Sequence, residues 1–353
     1  MAKPRTLPQC AFTVGIDPAS ESFVAALMTA LNQDVRAIEE FDNTKAGFAA
    51  FEGWLEVQHV PADDLLICIE NTGVYSEALC YCLYEHGFLL ALAVPYHVHK
   101  ASEDGPKNDR RDSQKIAQYA LRYLDRLTAW APRETLVEHV KAILTTREQL
   151  VKQKTATQNT LRAMRRKPVE TPSVLQALET IKASLAQQIE MLIEALKRLI
   201  GEQPRVAQMV DIVETAPGVG LLMSAHLLVL TNAFTEPLAY RALAAHLGIC
   251  PNEYASGKSV WRPSKSRGYG PSMMRKLLYL ASGSIVAHDE RFGEYYGRKC
   301  AEGKSKLLVR NNVSNKLLRI VCAMIKNQQP YIDTYRSINP RLLKQPRKHL
   351  TKS

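Results

Sequence analysis

The sequence predicts an α/β N-terminal domain on a mixed five-stranded sheet with flanking helices, a helical coiled-coil middle, and a mostly α C-terminal domain with a helix-hairpin-helix-like element. Three observations predict this. Residues 12–41 hold three short apolar or alternating runs, and helical spacing then alternates with short apolar runs to residue 124. Residues 134–200 carry apolar positions at steps of three and four. From residue 204 onward, apolar helical stretches are separated by turns rich in Pro and Gly.

The bulk composition narrows the function classes. The 353 residues are enough for two or three domains, and a hydrophobic fraction of 46% supports a sizeable core. A formal net charge of +11 favours a polyanionic partner, nucleic acid above all. The start, Met1-Ala2-Lys3-Pro4-Arg5, leads into no apolar segment of the signal-peptide kind, and the runs 88–95 and 221–230 are too short to span a bilayer. Seven scattered cysteines, with no C-x-x-C, read as reduced, buried thiols and not as a disulfide or zinc framework, which points to the cytoplasm.

Taken in order, Phe12–Asp17 reads as a first strand ending in a carboxylate, and Ser22–Thr29 and Val35–Phe41 as the next two strands of a meander. Thr44–Val57 is helical, with Phe48, Phe51 and Leu55 on one face. Asp64–Glu70 is a buried central strand that also ends in a carboxylate. A helix over Tyr75–His86 and a strand over Phe88–Val94 follow, then a helix over Asp109–Leu124.

Asp17 and Glu70 therefore stand at the C-terminal ends of central strands, where open α/β sheets place their ligands. If those strands are neighbours, the two acids lie side by side. Asp109 and Asp112 are three apart, which on a helix puts both carboxylates on one face with Cβ atoms roughly 5–6 Å apart. They follow a Gly105-Pro106 turn and are surrounded by Lys107, Arg110 and Arg111. Four converging carboxylates would suit Mg²⁺ or Mn²⁺ and phosphodiester chemistry. Read alone, each acid also has a plainer role: Asp17 before Pro18 in a turn, Glu70 at a strand end, and Asp109 with Asp112 as N-cap and N3 acid of a capping box.

In the middle, 134–166 carries Val137, Val140, Ile143, Leu144 and Leu150, and 174–200 carries Leu175, Leu178, Ile181, Leu185, Ile189, Leu192, Leu196 and Leu199. A helical hairpin fits, serving equally as an oligomerisation coiled coil or an intramolecular bundle. Arg162, Arg165 and Arg166, with Lys167, form a basic cluster near its tip, either solvated or contacting phosphate.

The C-terminal part opens with helix, Ala216-Pro217-Gly218-Val219-Gly220, helix. In a helix-hairpin-helix, Gly218 and Gly220 would bring backbone N–H groups to a DNA phosphate. After Glu253 no acid occurs until Asp289, while Lys258, Arg262, Lys265, Arg267, Arg275 and Lys276 are interleaved with Trp261 and Tyr269. That pattern suits a nucleic-acid backbone and its bases. Ser256 reads as a serine in a basic loop, with no His or Asp at triad spacing to activate it. Helices over 273–288 and 306–327 cover the C-terminal core, and the tail beyond Pro340 is basic without acids. The expected division is 1–130, 131–203, 204–335 and a basic tail, 336–353.

Gly15-Ile16-Asp17, Glu70-Asn71-Thr72-Gly73-Val74-Tyr75 and Lys107-Asn108-Asp109-Arg110-Arg111-Asp112 together resemble the RuvC-like domain of the DEDD transposases of insertion sequences, described as bridge-RNA-guided recombinases. Ala216–Gly220 and Gly248-Ile249-Cys250-Pro251 through Ser256-Gly257 resemble that family's C-terminal transposase domain. One departure is visible: Gly270-Pro271-Ser272 stands where the family commonly has a Gly-Asn pair before the next helix. The resemblance implies an RNase H/RuvC-like N-terminal fold and Mg²⁺ held by Asp17, Glu70, Asp109 and Asp112. It implies that Ser256 is the nucleophile forming a phosphoserine link to DNA. It further implies a dimer or tetramer with a composite site, and a structured guide RNA that pairs with donor and target DNA. On the same acids, a junction-resolving endonuclease using water is the alternative; an actin-like ATPase and a non-catalytic nucleic-acid binder are others.

Overall fold

The computed structural model describes residues 7–29, 34–102, 108–169, 171–236, 239–256, 260–266, 268 and 270–332; within 252–256 and 260–265 only the backbone is described. The chain falls into two compact units, Met1–Pro132 and Arg133–Ser353.

In the first unit, β1 (Phe12–Pro18), β2 (Ser22–Thr29) and β3 (Val35–Asp42) form the antiparallel meander, and β4 (Leu65–Glu70) and β5 (Leu89–Ala93) extend it in parallel. The order is β3-β2-β1-β4-β5, the mixed five-stranded sheet of an RNase H/RuvC-like fold. Between the strands lie α1 (Lys45–Val57) and α2 (Val74–Glu85), and after β5 come α3 (Pro95–Ala101) and α4 (Asp109–Arg122). Thr44 caps α1 by accepting from the Gly47 N–H.

The pleat sorts the sheet's side chains onto two faces. Val14 and Ile16 of β1, with Leu65, Ile67 and Ile69 of β4, share a core with Phe48, Phe51 and Leu55 of α1 and Leu79, Cys80 and Leu83 of α2. Phe23 and Phe41 stack within it, ring centroids 5.4 Å apart. Leu66 and Cys68 of β4 point the other way, into a core with Ile116, Tyr119 and Ala120 of α4. Each large apolar side chain buried in these layers contributes about 1.5–3 kcal/mol.

In the second unit, α5 (Thr135–Met164) and α6 (Pro172–Gly201) fold back on each other. Their base, at Val137, Val140, Leu144, Leu196 and Ile200, joins one core with α7 (Pro204–Glu214), α8 (Leu221–Leu230), α9 (Tyr240–His246), α10 (Ser272–His288) and α12 (Lys306–Asn327). Further out the hairpin's apolar seam is mostly half-buried, with Leu161 buried near the tip and Ile181 and Met191 exposed.

Three elements differ from the sequence expectation. The stretch around Ser256 is not a loop: β6 (Pro251–Ser256) and β7 (Val260–Ser266) pair antiparallel as a two-stranded sheet. Tyr254, Val260 and Trp261 favour strand, and Pro251 and Pro263 are tolerated because both strands are edges. α3 was not anticipated; Pro95 opens it at a position where the missing N–H costs nothing. α11 (Glu290–Ala301) is also new, capped by Asp289, which accepts from the N–H groups of Arg291 and Phe292. The seven cysteines are free, but only Cys10, Cys68 and Cys80 are buried; the other four are half-buried. Burial pushes the Cys68 and Cys80 thiols up to about 12, with Glu70 and Glu77 adding to the rise respectively.

Candidate active site

The site begins with strand parity. In β1, Val14 and Ile16 face the aromatic core, so Gly15 and Asp17 face α4. In β4, Leu66 and Cys68 face α4, and so does Glu70. The parallel register pairs Gly15 with Cys68 and Ile16 with Ile69, so the next step along places Asp17 beside Glu70. Both carboxylates are half-buried.

α4 lies directly on this face. A Cβ at Gly15 would fall 2.2 Å from the Ser113 backbone oxygen and 2.3 Å from the Ala117 N. Only glycine allows that approach. Ser113 is itself fully buried and donates to the Arg110 carbonyl at 2.9 Å. The contact sets the first turn of α4, with Asp109 and Asp112, over the end of β1. Carboxylate oxygens of Asp17, Asp109 and Asp112 all lie within 4.8 Å of one another. Glu70 is outside that group of three.

The cap on α4 is Asn108, whose side chain accepts from the Arg110 N–H and whose carbonyl accepts from the Arg111 and Asp112 N–H groups. This corrects the capping-box reading: Asp109 stands at the first helical position and Asp112 at the fourth, so neither carboxylate is the cap. Lys115, a residue the sequence reading passed over, donates to Asp112 at 2.9 Å. Three carboxylates this close repel one another, which one lysine offsets in part. An all-oxygen donor set fits a hard divalent cation such as Mg²⁺ or Mn²⁺.

The structure places the expected nucleic-acid residues as follows. Arg110 and Arg111 are exposed on the first turn of α4. Arg162, Arg165 and Arg166 are exposed at the hairpin tip, where Arg165 pairs with Glu179. Gly218 has φ +72° and packs against Ile285 and Ala281 of α10, while Gly220 precedes α8 with open space around it. Ser256 ends β6 opposite Val260. Arg262 and Lys265 lie on β7; Lys258, Arg267, Tyr269, Gly257, Lys107 and the Gly105-Pro106 turn lie outside the described residues. Arg275 donates to the Leu247 and Gly270 carbonyls at 3.2 and 2.8 Å. Sequence reading also missed a cavity of about 830 Å³ along α11 and α12, lined by Arg291, Tyr295, Lys316, Arg319 and Tyr331. There the Lys316 Nζ sits 3.3 Å from the Tyr295 ring centroid.

Residues 14–166 match the profile of the DEDD transposases of the IS110 type, described as a transposase. Residues 210–297 match a second profile, described as transposase of the IS116/IS110/IS902 family. The chain belongs to the IS110-type DEDD transposases. As a member, this transposase is an enzyme of DNA recombination. It is similar to the pilin gene-inverting proteins of Moraxella lacunata and Moraxella bovis, each 24% identical over 327 residues that cover 90% of this transposase and 97% of the relative. It is similar over 155 residues, at 24% identity, to an insertion element IS110 protein of 43.6 kDa from Streptomyces coelicolor, covering 44% of this transposase and 35% of that protein. Among solved structures, Thermus thermophilus RuvC aligns with a TM-score of 0.26 and 12% identity, covering 34% of the transposase and 99% of RuvC. RuvC in complex with a Holliday junction substrate aligns with the same TM-score at 13% identity. Among the described residues, no helix of the transposase is long and apolar enough to cross a membrane.

Proposed function

We propose that this transposase cuts and rejoins DNA strands during insertion-sequence mobility, with Ser256 as nucleophile and Asp17, Glu70, Asp109 and Asp112 as the acidic half of the site. The observation that carries this is the convergence of Asp17, Asp109 and Asp112, distant in the chain, to within 4.8 Å. The donor set favours Mg²⁺, or Mn²⁺ in its place; when bound, such ions polarise the scissile phosphate and stabilise developing charge on its oxygens. The chain's own residues do the rest. Gly15 holds α4 against β1 so that the acids stay aligned. Arg110 and Arg111, beside them and exposed, take the flanking phosphates. The Ser256 Oγ attacks phosphorus and the 3′ oxygen leaves, giving a phosphoserine linkage. That linkage exchanges one phosphodiester for another, so the strand can be resealed without an outside energy source.

The basic residues 258–267 and the hairpin tip extend the path for DNA and for a structured guide RNA, in keeping with the net charge of +11. The proposed division of labour keeps 1–130 as the metal-binding domain, 131–203 as an oligomerisation hairpin, 204–335 as the serine-bearing domain and 336–353 as a basic tail. A dimer or tetramer in the bacterial cytoplasm, one copy's acids meeting another's serine, completes the reading. Two relatives of nearly the same extent are named for inverting a gene, which favours rejoining over cutting alone.

The test is Ser256→Ala with a DNA substrate and the RNA that co-purifies with the protein. The wild-type chain should yield a denaturant-resistant protein–DNA adduct and the variant none. A variant that cuts at the wild-type rate, with no adduct from either chain, would assign the reaction to water instead. Sequencing the co-purified nucleic acid tests the RNA separately: one structured species from beside the gene is the expected result.

A further inference from the structure

A second cluster of ligating side chains lies on the opposite face of the sheet. Glu52 of α1, Cys82 of α2 and His86 at the C-terminal end of α2 place one oxygen, one sulfur and one nitrogen within 4.8 Å of one another. α1 and α2 share the aromatic core that Val14 and Ile16 face, whereas Asp17 faces α4. The two clusters are therefore separated by the thickness of the sheet. Cysteine spacing alone gave no sign of a metal, because Cys82 has no nearby cysteine partner at ligand spacing; the fold supplies a carboxylate from another helix.

We propose that Glu52, Cys82 and His86 bind a thiophilic transition-metal ion of the Zn²⁺ class, clipping α1 to α2. Cys82 and His86 are four apart, one turn on the same helical face. His86 Nδ1 stands 2.5 Å from Glu52 Oε1, so a hydrogen bond joins the two ligands where the metal would sit. Donors bound at roughly 2.0–2.3 Å around a tetrahedral ion lie about 3.3–3.7 Å apart, so His86 and Glu52 must open by about an ångström. His86 is half exposed and can turn to do so.

Two features of the surroundings favour a cation. The site sits at the carboxyl end of α2, where the helix dipole is negative. Glu85 adds a second negative charge near the Cys82 thiol beside Glu52, and Lys45 offsets it only in part. The donor set of sulfur, nitrogen and one oxygen selects against Mg²⁺, which the all-oxygen site across the sheet suits. Three protein ligands leave the fourth position to water.

Cobalt(II) is the probe, since a thiolate-to-cobalt charge-transfer absorption reports the sulfur directly. The full-length chain carrying Asp17→Asn, which disables the acidic site, should take up one equivalent of Co²⁺ with that absorption, and excess Mg²⁺ should not remove it. Adding Cys82→Ser should abolish the band. Adding His86→Ala or Glu52→Gln, both at half-exposed or exposed positions, should weaken Co²⁺ binding by at least about 100-fold, the upper end of what losing an outer-sphere partner costs. Absence of the band before Cys82→Ser is added, or its persistence afterwards, overturns the proposal; so does a Glu52→Gln variant that binds as tightly as its parent.

Discussion

Gly15 and Ser113 meet backbone to backbone: a methyl group on Gly15 would lie 2.2 Å from the Ser113 carbonyl oxygen. Backbone cannot swing aside as a side-chain tip can, so α4 would have to lift from β1. Gly15→Ala should cost about 1–3 kcal/mol of stability as overpacking does. It should lower strand transfer by roughly 100-fold, since an ångström of misplacement can cost that much. Thermal unfolding and a single-turnover DNA assay measure the two. A larger loss of activity than unfolding explains is the expected signature.

Lys115 pairs with Asp112, so a metal ion bound there would have to displace it. Lys115→Met should therefore shift the Mg²⁺ concentration for half-maximal activity downward, by up to about five-fold if the ion pair is worth roughly 0.2–1 kcal/mol. Asp109→Asn should move it upward and lower the maximal rate by about 10³-fold, consistent with losing several kcal/mol of charge stabilisation. Chelation of divalent ions should abolish the reaction in every variant. A Mg²⁺ titration of activity checks all three.

Arg275 and Arg262 should separate under salt. Arg275 donates to the Leu247 and Gly270 carbonyls, closing the segment that holds β6 and β7. Arg275→Ala should lower the melting temperature and leave the salt dependence of DNA binding unchanged. Arg262→Ala should flatten the slope of log K against log salt by about 0.9, one phosphate contact's share. Binding isotherms at several salt concentrations provide the comparison.

His226 predicts an acid weakness in the second unit. Burial lowers its pKa, Glu148 opposes the shift, and Arg147 adds to it. The folded protein therefore keeps the ring neutral at a pH where the unfolded chain, with an ordinary pKa of about 6.5, takes up a proton. Stability should fall as pH drops through about 6.5 and level off below the folded pKa. Urea unfolding of wild type and His226→Gln at pH 8 and 5.5 checks it, with the variant showing the flatter response.

The sheet was legible because its signals are local: the runs at 22–29, 35–41 and 64–70 fall within a residue or so of β2, β3 and β4. Asp17, Asp109 and Asp112 were legible because strand ends and three-residue helical spacing are readable in one dimension. What escaped was contact. Gly15 reads as one more glycine until Ser113 is placed against it, and Lys115 as one more surface cation until it reaches Asp112. The β6–β7 hairpin was hidden by its basic residues and by Pro251 and Pro263, which argue against a strand unless both strands are edges. α3 was hidden by brevity, and α11 by Gly293 and Gly297 within a polar helix.

The parity of β1 and β4 also governs which errors in the gene this enzyme can survive. Losing a single codon between Gly15 and Asp17 would turn the carboxylate toward Phe51 and Ile67 and bring an apolar neighbour out to face α4. Lengthening the connection at 19–21, by contrast, leaves the facing of β1 untouched. Lineages of this enzyme should therefore vary in length there and hold one fixed spacing from Gly15 to Asp17.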